Sequence, residues 1–177
     1  MKTLKIVLVV LAVVILGFVG FVATRPNHFS IARSTKVAAT PEVLYALVAD
    51  LHEWPKWSPW EHKDPAMTKQ YSGAASGVGQ VYAWQGNKDV GKGRMTVMEL
   101  VPGKSAKVNL EFLDPGPFTN TVRFDFVAAG DKTQVTWTME GESDNFVHRV
   151  FALGMDALVG PDFEAGLANL KLAAETK

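Results

Sequence analysis

From Met67 to Glu140, apolar and polar residues alternate with a period of two, in short runs separated by turns rich in glycine and proline. This pattern limits the fold most narrowly, because only extended strands send successive side chains to opposite faces. Met67–Tyr71 is a short strand, followed by the turn SGAASGVG. Gln80–Gln85 sets Tyr82 and Trp84 on one face, and Gly86–Asp89 makes a hairpin turn. Gly93–Val101 follows and is closed by Pro102-Gly103. Lys107–Leu113 turns Val108, Leu110 and Phe112 inward against Lys107, Asn109 and Glu111, and Asp114-Pro115-Gly116-Pro117 ends it. Thr121–Ala128 and Thr133–Glu140 meet at Gly130-Asp131; Val122, Phe124 and Phe126 share the inner side with Val135, Trp137 and Met139. Hairpin-linked strands with one polar face predict an antiparallel sheet with one side in water.

Helical signals flank this block. Phe29–Val37 alternates and is a first strand. Thr40, Pro41 and Glu42 then supply an N-cap, a first-turn proline and a first-turn acid, with Val43, Leu44, Leu47 and Val48 as the apolar stripe behind them. At the other end Ser143 or Asp144 caps a long helix. Phe146, Val150, Leu153 and Ala157 form its stripe, with Phe151 and Met155 beside it. Gly160-Pro161 is expected to interrupt the run, and Phe163, Leu167, Leu170 and Ala174 continue the apolar face beyond. The class is α+β. Such a helix covers the sheet's apolar face only if the sheet curves around it.

Between the first helix and the sheet lies Leu51–His62, LHEWPKWSPWEH, holding Trp54, Trp57 and Trp60 among the five tryptophans of the chain. Pro55 and Pro59 forbid a regular helix through it. Three indoles on a stiffened loop must lie against something large and apolar. The expectation is a hollow between sheet and helix with this loop at its mouth.

Ile6–Ala23 is an uncharged apolar run of about 27 Å as a helix, close to the ~30 Å hydrocarbon core. A cleaved secretion signal is the alternative, but Phe21 stands where a small residue is needed before Ala23. Residues 1–28 are therefore expected to be a membrane anchor and linker, and 29–177 a domain held near the bilayer. Lys2 and Lys5 favour a cytoplasmic amino terminus at the inner membrane, with the domain on the outer, periplasmic side. Formal net charge is zero, so no nucleic-acid partner is implied. The chain has no cysteine, which excludes disulfides, thiolate metal sites and cysteine nucleophiles.

Three stretches carry a family resemblance: TPEVLYALVADLHEWPKWSPW, YSGAASGVGQVYAWQGNKDVGKGRM and GPDFEAGLANLK. With the element order, they resemble the SRPBCC (START-like) superfamily, in particular a membrane-anchored bacterial subgroup of the polyketide cyclase/dehydrase-like proteins. The resemblance spans about Phe29 to Ala174. It implies a helix-grip fold with a deep apolar cavity between sheet and last helix, and it leaves cyclase activity open.

The candidate ligand-binding residues are Trp54, Trp57, Trp60, Tyr82, Trp84, Phe112, Phe124, Phe126, Trp137 and Met139, with Arg94 and Met98. Arg94, Thr96 and Met98 alternate against Met95, Val97 and Glu99, so whichever face turns inward carries one charge. Inside, Arg94 would meet a ligand carboxylate, and Glu99 could do acid/base work. His28, His52, His62 and His148 show no metal-ligand spacing, Ser58 has no nucleophile elbow, and NKDVGKG matches no phosphate or dinucleotide loop, so no metal or cofactor is expected. The leading expectation is binding or carriage of a hydrophobic small molecule, a lipid or an aromatic. The alternatives are an aromatase/cyclase- or dehydratase-like enzyme and an accessory module for another membrane protein.

Overall fold

The computed structural model describes residues 2–114, 117–143 and 146–176. In chain order these form helix α1 (Lys2–Ala23), strand β1 (His28–Val37), helix α2 (Pro41–Ala49), a 3-10 turn (Trp54–Lys56) and helix α3 (Trp60–Lys63). Strands β2 (Thr68–Gly73), β3 (Gln80–Gln85), β4 (Lys92–Val101), β5 (Ser105–Asp114), β6 (Phe118–Ala129) and β7 (Lys132–Glu142) follow, and helix α4 (Phe146–Glu175) ends the chain. All seven strands make one antiparallel sheet in the order β1-β7-β6-β5-β4-β3-β2. The sheet is a meander from β2 to β7, with β1 added beside the last strand and the whole curved against α4.

Register puts the inward rows side by side: Phe124 lies opposite Trp137 and Val122 opposite Met139. The turns at Gly103 and Gly130 run through positive φ (64° and 69°), which glycine adopts without cost. α2 begins at Pro41 with Thr40 at the cap position in extended conformation. The Thr40 side chain makes no cap bond to the helix amides.

Three local expectations need correction. The tryptophan segment, expected as a proline-stiffened loop, holds a 3-10 turn at Trp54–Lys56 and leads into the four-residue helix at Trp60–Lys63. Gly160-Pro161 does not interrupt the last helix, which runs unbroken from Phe146 to Glu175 with Pro161 inside it. The lost amide hydrogen is outweighed by packing: Phe163, Leu167 and Leu170 are buried beyond it, and the Arg33 guanidinium sits over Gly160, where an added Cβ would lie 2.2 Å from Nη2. That guanidinium joins Asp156 (2.9 Å) and Glu164 (2.8 Å), one on either side of the proline. Finally, β4 carries a bulge between Val97 and Glu99. Asp144, Pro115 and Gly116, read as cap and turn residues, lie outside the described residues.

Candidate functional site: an aromatic cavity in half of the grip

α2 ends without a glycine or a capping side chain, so its last carbonyls need donors. The tryptophan segment supplies them. Trp57 Nε1 donates to the Leu47 carbonyl and Trp54 Nε1 to the Val48 carbonyl, each at 2.9 Å. The indoles are therefore drawn beneath the helix instead of lying at a mouth. Trp57 is fully buried, and its ring meets Phe124 (5.8 Å) and Trp137 (5.6 Å) edge to face. Trp54 packs against Trp57 and Phe124 as well. Phe126 closes the far side of this block, edge-on to Tyr45 of α2. This half of the grip is solid core.

The other half is hollow. A cavity of about 190 Å³ lies between the sheet, α3 and the middle of α4. Trp60, Tyr82, Trp84, Met95, Leu110, Phe112, Phe118, Val122, Trp137 and Met139 line it, with Met155, Val159 and Phe163 from α4. Trp54 and Trp137 border both halves. Trp137 stacks on Phe163 at 4.2 Å and reaches α4 at Gly166, where a Cβ would stand 2.6 Å from the indole. Any side chain there would push the ring off the helix. A largely apolar cavity of this scale is large enough for an aromatic ring, as a roughly 150 Å³ engineered cavity is.

Few polar groups reach this space. Glu61 of α3 keeps only 7% of its side chain exposed. It accepts a hydrogen bond from the Tyr82 hydroxyl at 2.7 Å and pairs with Lys69 through its other oxygen. Burial, then the bond to Glu61 and its charge, push the Tyr82 phenol well above its usual range. Tyr82 is thus a fixed neutral donor. Asp162 on the cavity rim pairs with Lys63 at 2.6 Å. Among the described residues, two buried donors of cavity-lining residues have no hydrogen-bond partner: Asn120 Nδ2 and Trp137 Nε1. The Asn120 oxygen is turned against Gly141, where a Cβ would lie 2.2 Å from it.

Of the candidate ligand-binding residues, Trp54, Trp60, Tyr82, Trp84, Phe112, Trp137 and Met139 border the cavity. Trp57, Phe124 and Phe126 instead belong to the packed core. Arg94 and Met98 turn away from it. Arg94 is on the outer face in a two-point ion pair with Glu111, and Met98 is 53% exposed at the bulge. The bulge shifts the face by one residue, so Met95 and Val97 point inward while Arg94 and Glu99 both point outward. Neither face of β4 carries a charge into the core, against the expectation from strict alternation. Sequence reasoning missed Glu61 and Asn120. Glu61 sits in EHK, which looks like a solvated turn, and Asn120 precedes the alternating run that begins at Thr121. His52 lies beside Asp50 (2.9 Å) and stacks on Tyr71. Among the described residues no group of three His, Asp or Glu side chains could hold a metal ion.

A family model described as polyketide cyclase/dehydrase and lipid transport matches residues 28–175. Among solved structures, the di-domain ARO/CYC StfQ from the steffimycin biosynthetic pathway matches with a TM-score of 0.62 and 11% identity, over 84% of this chain and 51% of that one. The Aha1 dimer from Colwellia psychrerythraea matches at 0.57 and 23% identity, over 83% and 96% of the two chains. Ara h 8.0201 matches at 0.56 and 9%, over 85% and 99%. At these identities the likeness is one of fold. No curated protein matches the chain.

Proposed function

Because the chain belongs to the polyketide cyclase/dehydrase and lipid transport family, we propose that it binds a small, neutral, largely apolar molecule beside a membrane. The observation that carries this reading is the aromatic cavity of about 190 Å³, closed on one side by α4. Its walls favour a flat, unsaturated ligand, since rings stack or meet edge to face on Trp60, Trp84, Phe112 and Trp137. The unpartnered donors of Asn120 and Trp137 call for acceptor oxygens, because a buried donor left unpaired costs about 1–3 kcal/mol. The charged side chains that line the cavity among the described residues are acids, Glu61, Asp89 and Asp162, and none is a cation that could pair with an anionic ligand.

In this reading residues 1–28 are anchor and linker, and 29–177 the binding domain. α1 spans about 33 Å with a mean hydropathy of 3.2 over its most apolar window, enough to cross a bilayer. Lys2 and Lys5 favour a cytoplasmic amino terminus, with the domain on the periplasmic side of the inner membrane. Native mass spectrometry of the full-length protein, gently extracted from its own membrane, tests the proposal. A co-purifying neutral compound recovered unchanged after long incubation supports it. Extraction without any bound compound, together with failure to bind neutral aromatic probes, overturns it.

One observation favours a second reading. Glu61 and Tyr82 place a carboxylate and a phenol in one hydrogen bond (2.7 Å) at the cavity wall, where a carboxylate could take a proton from the bound molecule. Conversion of the bound compound, lost in a folded Glu61→Gln variant, would make the protein an enzyme of the cyclase or dehydratase type.

A further inference from the structure

The two halves of α4 differ. All of its buried residues, Gly160, Phe163, Gly166, Leu167, Leu170 and Ala174, lie at or beyond Gly160. The first half, Phe146 to Val159, buries none, yet it is strongly apolar. Val147 (58%), Phe151 (60%) and Leu158 (66%) are exposed at positions i, i+4 and i+11, one stripe of the helix. Phe146 and Leu153 widen the exposed apolar surface. Asp156, the acid of this half, is turned away to Arg33. Water alone does not favour such a surface on a helix of this length.

Contacts to α1 indicate what covers it. Val22, near the end of α1, is fully buried, and Arg149 Nη1 donates to the Ala23 carbonyl at 3.2 Å. The first turns of α4 are thus fastened to the point where α1 ends. Two guanidinium groups gather there: Arg25, 4.0 Å above the Phe21 ring, and Arg149, whose buried Nε has no partner among the described residues. Arginine beside an aromatic ring at the end of an apolar span suits the phosphate level of a bilayer.

We infer that the first half of α4 lies on the bilayer that α1 crosses, with Val147, Phe151 and Leu158 among the acyl chains and Arg25 and Arg149 at the phosphates. This rests on the reading of α1 as a membrane span. It gives the cavity a direction. Met155 and Val159, from the same turns, line the cavity, so one helix thickness separates the ligand from lipid. The ligand is then a molecule drawn from the bilayer, and the loosely packed half of α4 is the wall it passes.

The chain has no cysteine, so single labels are straightforward. Full-length Phe151→Cys and Leu158→Cys, each carrying a nitrobenzoxadiazole label, are placed in phosphatidylcholine/phosphatidylglycerol nanodiscs. Leu11→Cys reports on α1, and Val127→Cys, exposed near the β6–β7 turn, reports on water. Labels at 151 and 158 are expected to emit to the blue of the label at 127, to be quenched by doxyl lipids, and to lose most iodide quenching. Labels at 151 and 158 as open to iodide as the one at 127, with the label at 11 in lipid, overturn the inference and leave the anchor standing. If the label at 11 is also in water, the span reading has failed and this inference with it. All labelled sites are exposed, and near-ultraviolet circular dichroism confirms that each variant is folded.

Discussion

Trp57→Ala should strip the domain of much of its stability, although the same residue reads from the sequence as part of a ligand-binding rim. Trp57 is fully buried between α2 and the sheet, touching Trp54, Phe124 and Trp137. Truncating a buried tryptophan to alanine costs about 3–5 kcal/mol. The indole also donates to the Leu47 carbonyl at the end of α2, and losing that donor costs about 1–3 kcal/mol more if water cannot replace it. The sum, about 4–8 kcal/mol, is comparable with the roughly 5–15 kcal/mol that holds a domain together. Urea titration of the full chain in nanodiscs, followed by near-ultraviolet circular dichroism, measures it. Trp57→Phe separates the two contributions, since it keeps a ring and leaves the Leu47 carbonyl bare; its midpoint should lie between those of wild type and Trp57→Ala. Trp60→Ala, on the cavity wall and partly exposed, should shift the midpoint far less and weaken ligand binding more. A cooperative Trp57→Ala transition at the wild-type midpoint would refute the assignment of Trp57 to the core.

The cavity's unpaired donors predict selectivity: 2-acetylnaphthalene should bind about tenfold more tightly than its hydrocarbon isostere 2-isopropenylnaphthalene, a gap of ~1.4 kcal/mol. Fluorescence titration should show that preference shrink in Asn120→Leu or Trp137→Phe, and equal affinity in wild type would count against it. Tyr82 predicts an alkaline weakness. Its folded phenol titrates above the ordinary 10.0, so the stability it contributes is intact below pH 10 and declines as pH rises beyond that. Urea midpoints between pH 9 and 11.5 should fall less steeply in Tyr82→Phe, and parallel curves would show that the phenol is not the cause. Deleting the chain from Gly160 onward removes Phe163, Leu167 and Leu170 from the core, each worth roughly 1.5–3 kcal/mol, and should abolish the cooperative melt.

Alternation served well wherever one face of a strand meets water, because burial of the other face then dictates register. That is why the inward rows of β5, β6 and β7 could be named from the sequence. It failed on β4, where one extra residue between Val97 and Glu99 reverses the faces and turns both charges out. Nothing in GRMTVMEL marks the bulge, since either face offers two apolar residues. The tryptophan segment was legible as apolar and stiff, but not as the upper or lower layer of the fold. A usable signal was present: α2 ends without a glycine or capping side chain, and indole donors follow at Trp54 and Trp57. Counting the carbonyls left bare at the end of α2 would have called the indoles inward. Glu61 stayed hidden because a carboxylate in a charged tetrapeptide looks solvated until Tyr82 and Lys69 are seen around it.

The division of the grip explains how a small domain can keep a hole in its middle. A void forfeits contacts along its whole lining, so the stability must be stored elsewhere. Here it is stored on the far side of Trp54 and Trp137, where α2 and the tryptophan segment fill the sheet's curve and their polar backbone atoms are paired. α4 follows the same division. Its second half is clamped against Trp137 and the core, with Gly166 admitting the ring, while its first half contributes wall and no buried anchor. Segments with few buried contacts open at lower cost, and in α4 the segment with the fewest lies beside the cavity. Arg33, bridging Asp156 and Glu164, spans the joint between the two halves. Substitutions on the hollow side should therefore change what binds and how fast it exchanges, and those on the packed side whether the chain folds. Arg33→Ala, at the joint, should speed ligand exchange and lower the urea midpoint only modestly, because Asp156 and Glu164 are largely exposed and such pairs contribute about 0–1 kcal/mol, leaving the guanidinium's packing over Gly160 as the remaining loss.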